Sequence, residues 1–184
     1  MKKLIIFDLD NTFYKYDDAH QKGIEEVFSS QKIFENYNEF YSKYELSKNK
    51  VQRLNPDNPS KHSKLIYFKN LFFDKLDIFE IINLEDVYWS SFISNAKLQM
   101  EAIDLLKKNK NSDDKFVLLT NQNLSIQLRK INAWGLNFFD DVVTSEEVGF
   151  EKPNPHFFDY VKNNIINFSI SDYLIYAVGD DLKN

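Results

Sequence analysis

A chain of 184 residues with 43% hydrophobic side chains can bury a full core and accommodates one domain with an insertion. Its net charge of −5 argues against nucleic acid as a partner, and the absence of cysteine excludes disulfides and thiol chemistry. No stretch approaches the ~18 apolar residues of a membrane span, and the run after Met1-Lys2-Lys3 is too short for a leader peptide, so a cytoplasmic protein without a membrane partner is expected.

The first predicted element is a buried strand over residues 3–9, carried by Leu4-Ile5-Ile6-Phe7. It runs into Asp8-Leu9-Asp10-Asn11-Thr12, with Asn11 shaping the turn. Carboxylates two positions apart on extended chain point to the same side, and no apolar core asks for such a pair, because unpaired buried carboxylates are costly. From Asp17 to about Leu98 the spacing is helical: Ile24, Val27 and Phe28, then Phe40, Tyr44 and Val51. After a break at Asn55-Pro56-Asp57-Asn58-Pro59 come Leu65, Phe68, Leu71 and Phe72, and Val87, Phe92 and Ile93 predict a further helix. The segment reads as a bundle of four or five helices, which sets the expected boundaries at 1–14 with 96–184 for a core and 15–95 for an inserted domain.

The second half alternates helix and strand. A helix over residues 96–110 precedes a strand at 115–119, and a helix over 124–134 ends at Gly135, a C-cap. A short strand at 141–144 leads into a helical turn at Ser145-Glu146-Glu147, residues suited to a helix N-terminus. The helix after Pro155 runs to about Asn164, and a last strand covers 173–178. Such alternation predicts an α/β fold, a parallel sheet with helices on both faces. Ligands of such sheets bind beyond the carboxyl ends of the strands. Three further motifs fall there: Thr120-Asn121, then Lys152 in Glu151-Lys152-Pro153-Asn154-Pro155, then Gly179-Asp180-Asp181.

With these four motifs in this order, the chain resembles the haloacid dehalogenase superfamily. The resemblance implies a Rossmann-like core with a helical cap inserted after the first strand, and it implies Asp8 as nucleophile and Asp10 as general acid and base of a phosphatase. It further implies Mg²⁺ held by the Asp8 side chain, the Asp10 backbone carbonyl and Asp180, with Thr120, Asn121 and Lys152 around the phosphoryl group; where the chain departs from the family's pattern after Asp180, Asp181 is the candidate for supporting metal-bound water. Charge supports a cation independently, since one lysine cannot neutralise four converging carboxylates, and Mg²⁺ suits carboxylate, water and phosphate ligands.

Asp10 separates branches of the superfamily, because its dehalogenases expel a halide that needs no proton and lack this second Asp. Phosphomutases keep both carboxylates, so mutase chemistry stays open beside hydrolysis, as does a non-catalytic phosphate-binding relative. The resemblance also implies an acidic residue four or five positions after Asp180, where Asn184 stands and the sequence ends, and a closing strand and helix that are expected to be missing. The expected substrate is a small soluble phosphomonoester, with nucleotides and sugar phosphates favoured; no feature speaks to oligomeric state. His20, His62 and His156 lack metal-ligand spacing and are read as satisfied or surface groups, Trp89 and Trp134 as packing, and Arg53 as part of a solvated helix face.

Overall fold

The structure, a computed structural model, describes residues 2–165 and 173–180. In chain order its elements are β1 (Lys2–Phe7), α1 (Tyr16–Ser30), α2 (Tyr37–Leu54), a 3₁₀ turn (Pro59–His62), α3 (Lys64–Leu71), α4 (Ile78–Asn95), α5 (Met100–Asn109), β2 (Lys115–Thr120), α6 (Leu124–Ala133), β3 (Asp141–Thr144), α7 (Ser145–Val148), α8 (Pro155–Tyr160) with a π turn (Val161–Ile165), and β4 (Tyr173–Val178). They fall into two compact units, Tyr16–Lys97 and the joined segments Met1–Lys15 and Leu98–Asn184. No helix among the described residues is long and apolar enough to cross a membrane.

The α/β unit holds a four-stranded sheet in the order β3-β2-β1-β4, all parallel. Registers pair Phe7 with both Leu118 and Val178, and Thr120 with Thr144, so the carboxyl ends share one edge. β2 is buried almost throughout because it is an interior strand whose every residue but the first is apolar or Thr. Alternation sends its side chains to two faces. On one, Val117 and Leu119 join Leu4, Val143, Phe157 and Val161. On the other, Phe116 meets Phe7 with ring centroids 5.3 Å apart, and Phe13 and Phe139 complete an aromatic layer. Lys107 and Lys110, at the C-terminal end of α5, lie over the rings of Phe138 and Phe116.

Turn chemistry sets the helix ends. α6 stops where Gly135 adopts φ +62°, and the Leu136 N–H reaches back to the Ile131 carbonyl at 3.0 Å. α7 is opened by Thr144 and Glu147 in a reciprocal capping box and closed by Gly149 at φ +79°. α5 starts at Met100 and not at the expected residue 96, because Ala96 still caps α4 while Gln99 donates its N–H to the Phe13 carbonyl. α8 gives way to the π turn four residues short of the expected Asn164.

The helical unit is an aromatic core. Tyr44, Tyr67, Phe68, Tyr88, Trp89 and Phe92 are fully or nearly fully buried and contact one another in tilted and edge-on pairs. α1 approaches α4 so closely that a Cβ on Gly23 would sit 2.7 Å from the Tyr88 ring and 3.0 Å from its carbonyl oxygen. In α3 the inward face departs from expectation. Leu65 is 38% exposed, and Lys64 (6%) takes the inward place, its Nζ 5.0 Å from the centre of the Tyr67 ring and 5.7 Å from that of Tyr88. A lysine can do this because its aliphatic stem packs like a hydrophobe while aromatic faces attract its ammonium.

Candidate active site

The chain leaves β1 at Phe7, two residues earlier than expected. Asp8 keeps one ladder bond, its N–H donating to the Val178 carbonyl at 2.9 Å, and Leu9 is wholly buried. Asn11 then takes φ +62°, a conformation its short polar side chain tolerates, and the Phe13 N–H closes the turn on the Leu9 carbonyl. The outcome is that Asp8 and Asp10 both line one cavity of about 610 Å³, together with Thr120, Asn121, Lys152 and Asp180. Six of the seven residues singled out from sequence thus meet there; Asp181 lies outside the described residues.

Lys152 stands on the loop between α7 and α8. Its ammonium donates to Asp8 Oδ1 at 2.8 Å and to the Leu119 carbonyl at 2.7 Å. The loop is pinned by Asn121, whose Oδ1 accepts the Lys152 N–H at 2.8 Å and whose Nδ2 donates to the Lys152 carbonyl at 2.9 Å. The Asn121 side chain is therefore engaged with the backbone of Lys152, and the peptide after Lys152 is cis. Thr120 is 1% exposed; its Oγ1 accepts from Gln127 Nε2 at 2.6 Å, which leaves the hydroxyl proton to be donated elsewhere.

Two supporting residues are absent from the sequence reading: Gln127 and Lys130, three apart on the buried face of α6 beside Ile126. Lys130 is 0% exposed, and its ammonium donates to Asp10 Oδ1 at 2.8 Å and to the Tyr14 hydroxyl at 2.9 Å. The Tyr14 hydroxyl donates to the same Asp10 oxygen. The sequence carried no clear signal for them, since Leu128 of the apolar Leu124-Leu128-Ile131 spacing is 47% exposed and the face of Ile126, Gln127 and Lys130 turns inward instead.

Burial pushes the Asp8 carboxyl above its ordinary value, the Lys152 ammonium pulls it back, and the neighbouring Asp10 charge adds to the rise. Lys130 moves the other way, lowered by burial against the pull of Asp10 and Asp8. The expected balance of one lysine against four carboxylates needs correction, since a second lysine, Lys130, is buried against Asp10 at 2.8 Å and within electrostatic reach of Asp8. A phosphoryl group still brings negative charge that two ammoniums and three carboxylates leave unmatched. Among the described residues no group of three acidic or His side chains forms a ready-made metal cage. Mg²⁺ asks for less, using one or two carboxylates and filling its remaining positions with water and phosphate oxygens. The hard oxygen donors of Asp8, Asp10 and Asp180 fit that demand.

Elsewhere, His20 accepts or donates a 2.6 Å bond with the Tyr88 hydroxyl inside the helical unit, and Trp134 packs on the Tyr14 ring at 4.8 Å.

A family model for haloacid dehalogenase-like hydrolases matches residues 2–184. The ribulose-1,5-bisphosphate 5-phosphatase of Halopiger xanaduensis is 29% identical over 83% of this chain and 67% of its own length. Among solved structures, the magnesium-bound HAD-hydrolase YfnB of Bacillus subtilis superposes with a TM-score of 0.65 at 24% identity, covering 98% of this chain and 81% of that one. A 2-haloacid dehalogenase from Pseudomonas syringae pv. Tomato DC3000 gives 0.64 at 19% identity, over 98% and 79%. Likeness at these identities shows a shared fold.

Proposed function

The chain belongs to the haloacid dehalogenase-like hydrolase family, and from that premise we propose that it is a Mg²⁺-dependent phosphatase of small phosphomonoesters. The observation that carries this reading is Asp10, lining the same cavity as Asp8. Expelling a halide needs no acid, whereas expelling an alkoxide does, so a second carboxylate beside the first favours phosphoryl chemistry over dehalogenation.

Unaided hydrolysis of a phosphomonoester is so slow that the site must remove on the order of 20 kcal/mol of barrier. In our scheme an Asp8 oxygen attacks phosphorus while the bond to the leaving oxygen breaks, and Asp10 delivers a proton to that oxygen. Asp10, now ionised, takes a proton from water as the water attacks the aspartyl phosphate, which returns Asp8 and frees inorganic phosphate. Lys152 steadies the Asp8 carboxylate and offers charge to the phosphoryl oxygens, with the Thr120 hydroxyl as a second donor. Mg²⁺, when bound through Asp8, the Asp10 carbonyl and Asp180, supplies the remaining positive charge. Substrate selection is assigned to the helical unit, Tyr16–Lys97, as an inserted cap.

The test is phosphate release from a panel of phosphomonoesters with and without Mg²⁺, with Asp8→Asn as the blank. Sugar phosphates come first because of the bisphosphatase relative, and nucleotides second. Mg²⁺-dependent turnover abolished by Asp8→Asn is expected. Release that survives Asp8→Asn, or no release from any ester, would overturn the reading.

A further inference from the structure

We propose that Lys130 is a positioning residue for the general acid, fixing the Asp10 carboxylate from within α6; the inference rests on the phosphatase reading above. Asp10 sits on a turn beyond the end of β1, between buried Leu9 and left-handed Asn11, so no strand ladder holds its side chain. What holds it is a closed triangle. Lys130 Nζ donates to Asp10 Oδ1 at 2.8 Å and to the Tyr14 hydroxyl at 2.9 Å, and that hydroxyl donates to the same Oδ1. Two donors converging on one oxygen fix the plane of the carboxylate.

The donors are themselves fixed. Tyr14 is fully buried, lies under the Lys130 ammonium, and is packed against Trp134 at 4.8 Å. Its backbone bridges to both Asp10 and Leu98. Lys130 is fully buried in the last turn of α6. Stability alone is a poor reason for it, since an apolar side chain of similar volume commonly replaces a buried ion pair at no loss. The same helix repeats the device one turn earlier, where Gln127 orients the Thr120 hydroxyl at 2.6 Å. α6 thus presents two polar side chains, each engaged with a different cavity-lining group.

A positioned acid matters in proportion to how badly the leaving group needs a proton. Lys130→Met and Tyr14→Phe are therefore compared with wild type on two substrates in Mg²⁺: the alkyl phosphate turned over fastest in the panel, and p-nitrophenyl phosphate, whose phenolate leaves readily. The expected result is that the alkyl-to-aryl ratio of kcat falls about 10–100-fold in Lys130→Met and about 3–10-fold in Tyr14→Phe, with KM little changed. In an Asp10→Asn background, adding Lys130→Met is expected to leave that ratio where Asp10→Asn put it. Equal losses on both substrates in both variants would overturn the inference and make the triangle purely structural. Should Lys130→Met not fold, Tyr14→Phe, which removes one hydroxyl and no charge, decides alone. Wild type that turns over no phosphomonoester would overturn the phosphatase reading itself.

Discussion

The two units bury polar groups on different terms. In the helical unit the described buried polar residues are Gln31, Ser47 and Lys64, and each serves the fold: Gln31 ties the turn after α1, Ser47 bonds the Tyr67 carbonyl, and Lys64 packs on rings. In the α/β unit Asp114 likewise ties backbone N–H groups, but Gln127 and Lys130 are buried with a bond each to a group that lines the cavity, Thr120 and Asp10. The first unit is stabilised chiefly by aromatic area, and the second also spends burial on orientation. Stability and chemistry should therefore be separable by substitution.

The largest effect expected is from Asp8→Asn, about 10⁴-fold or more in kcat, with the melting of both units nearly unchanged. Loss of folding in that variant would break the comparison. Phe68→Ala does the converse. It opens a cavity in the aromatic core and should cost about 3–5 kcal/mol, read as a low-denaturant transition confined to residues 16–97 by hydrogen exchange. Lys152→Met should lower kcat about 10²–10³-fold, as loss of one preorganised donor does elsewhere, with little effect on the denaturation midpoint.

The smallest effect distinguishes the units by pH. Burial, with Lys64 and Lys48 nearby, holds His20 at about 3, below its ordinary 6.5. The unfolded chain therefore takes up the proton first, so this contribution is full above pH 6.5 and is lost as pH falls towards 3. Between pH 7 and pH 5 the helical unit should lose about 1–2 kcal/mol, a loss that His20→Gln removes, measured as the shift in its melting temperature. Asp140 in the α/β unit is shifted the other way relative to its charge. Despite some burial, bonds from Lys110 and the Phe116 N–H hold it below 3.8, so its contribution persists until pH falls below that value. Acid loosening of the α/β unit first would contradict this ordering.

Strands were legible wherever an apolar run stopped abruptly at polar residues, as at Val178-Gly179 and Thr120-Asn121, and β3 and β4 match their expected spans. The site was legible because its carboxylates and lysine interrupt those ends, where core packing offers no use for them. Helix faces were harder to read. Leu65 and Lys64 are adjacent, and only the ring cluster decides which turns inward. Lys130 escaped for the same reason, since its partners Asp10 and Tyr14 are more than a hundred residues away in sequence. Asn121 was picked out by position and does line the cavity, but its side-chain partner is the backbone of Lys152, a pairing that no local pattern encodes.

The spacing of Gln127 and Lys130 on α6 bears on which insertions and deletions this chain tolerates. A helix advances about 100° per residue, so removing or adding one residue early in α6 would swing both side chains away from Thr120 and Asp10 together. The helix behaves as a fixed reading frame for the two cavity groups it serves, and the short loop before it is held in length too, by the bonds of Asn121 to the Lys152 backbone and of Asn123 to Glu146.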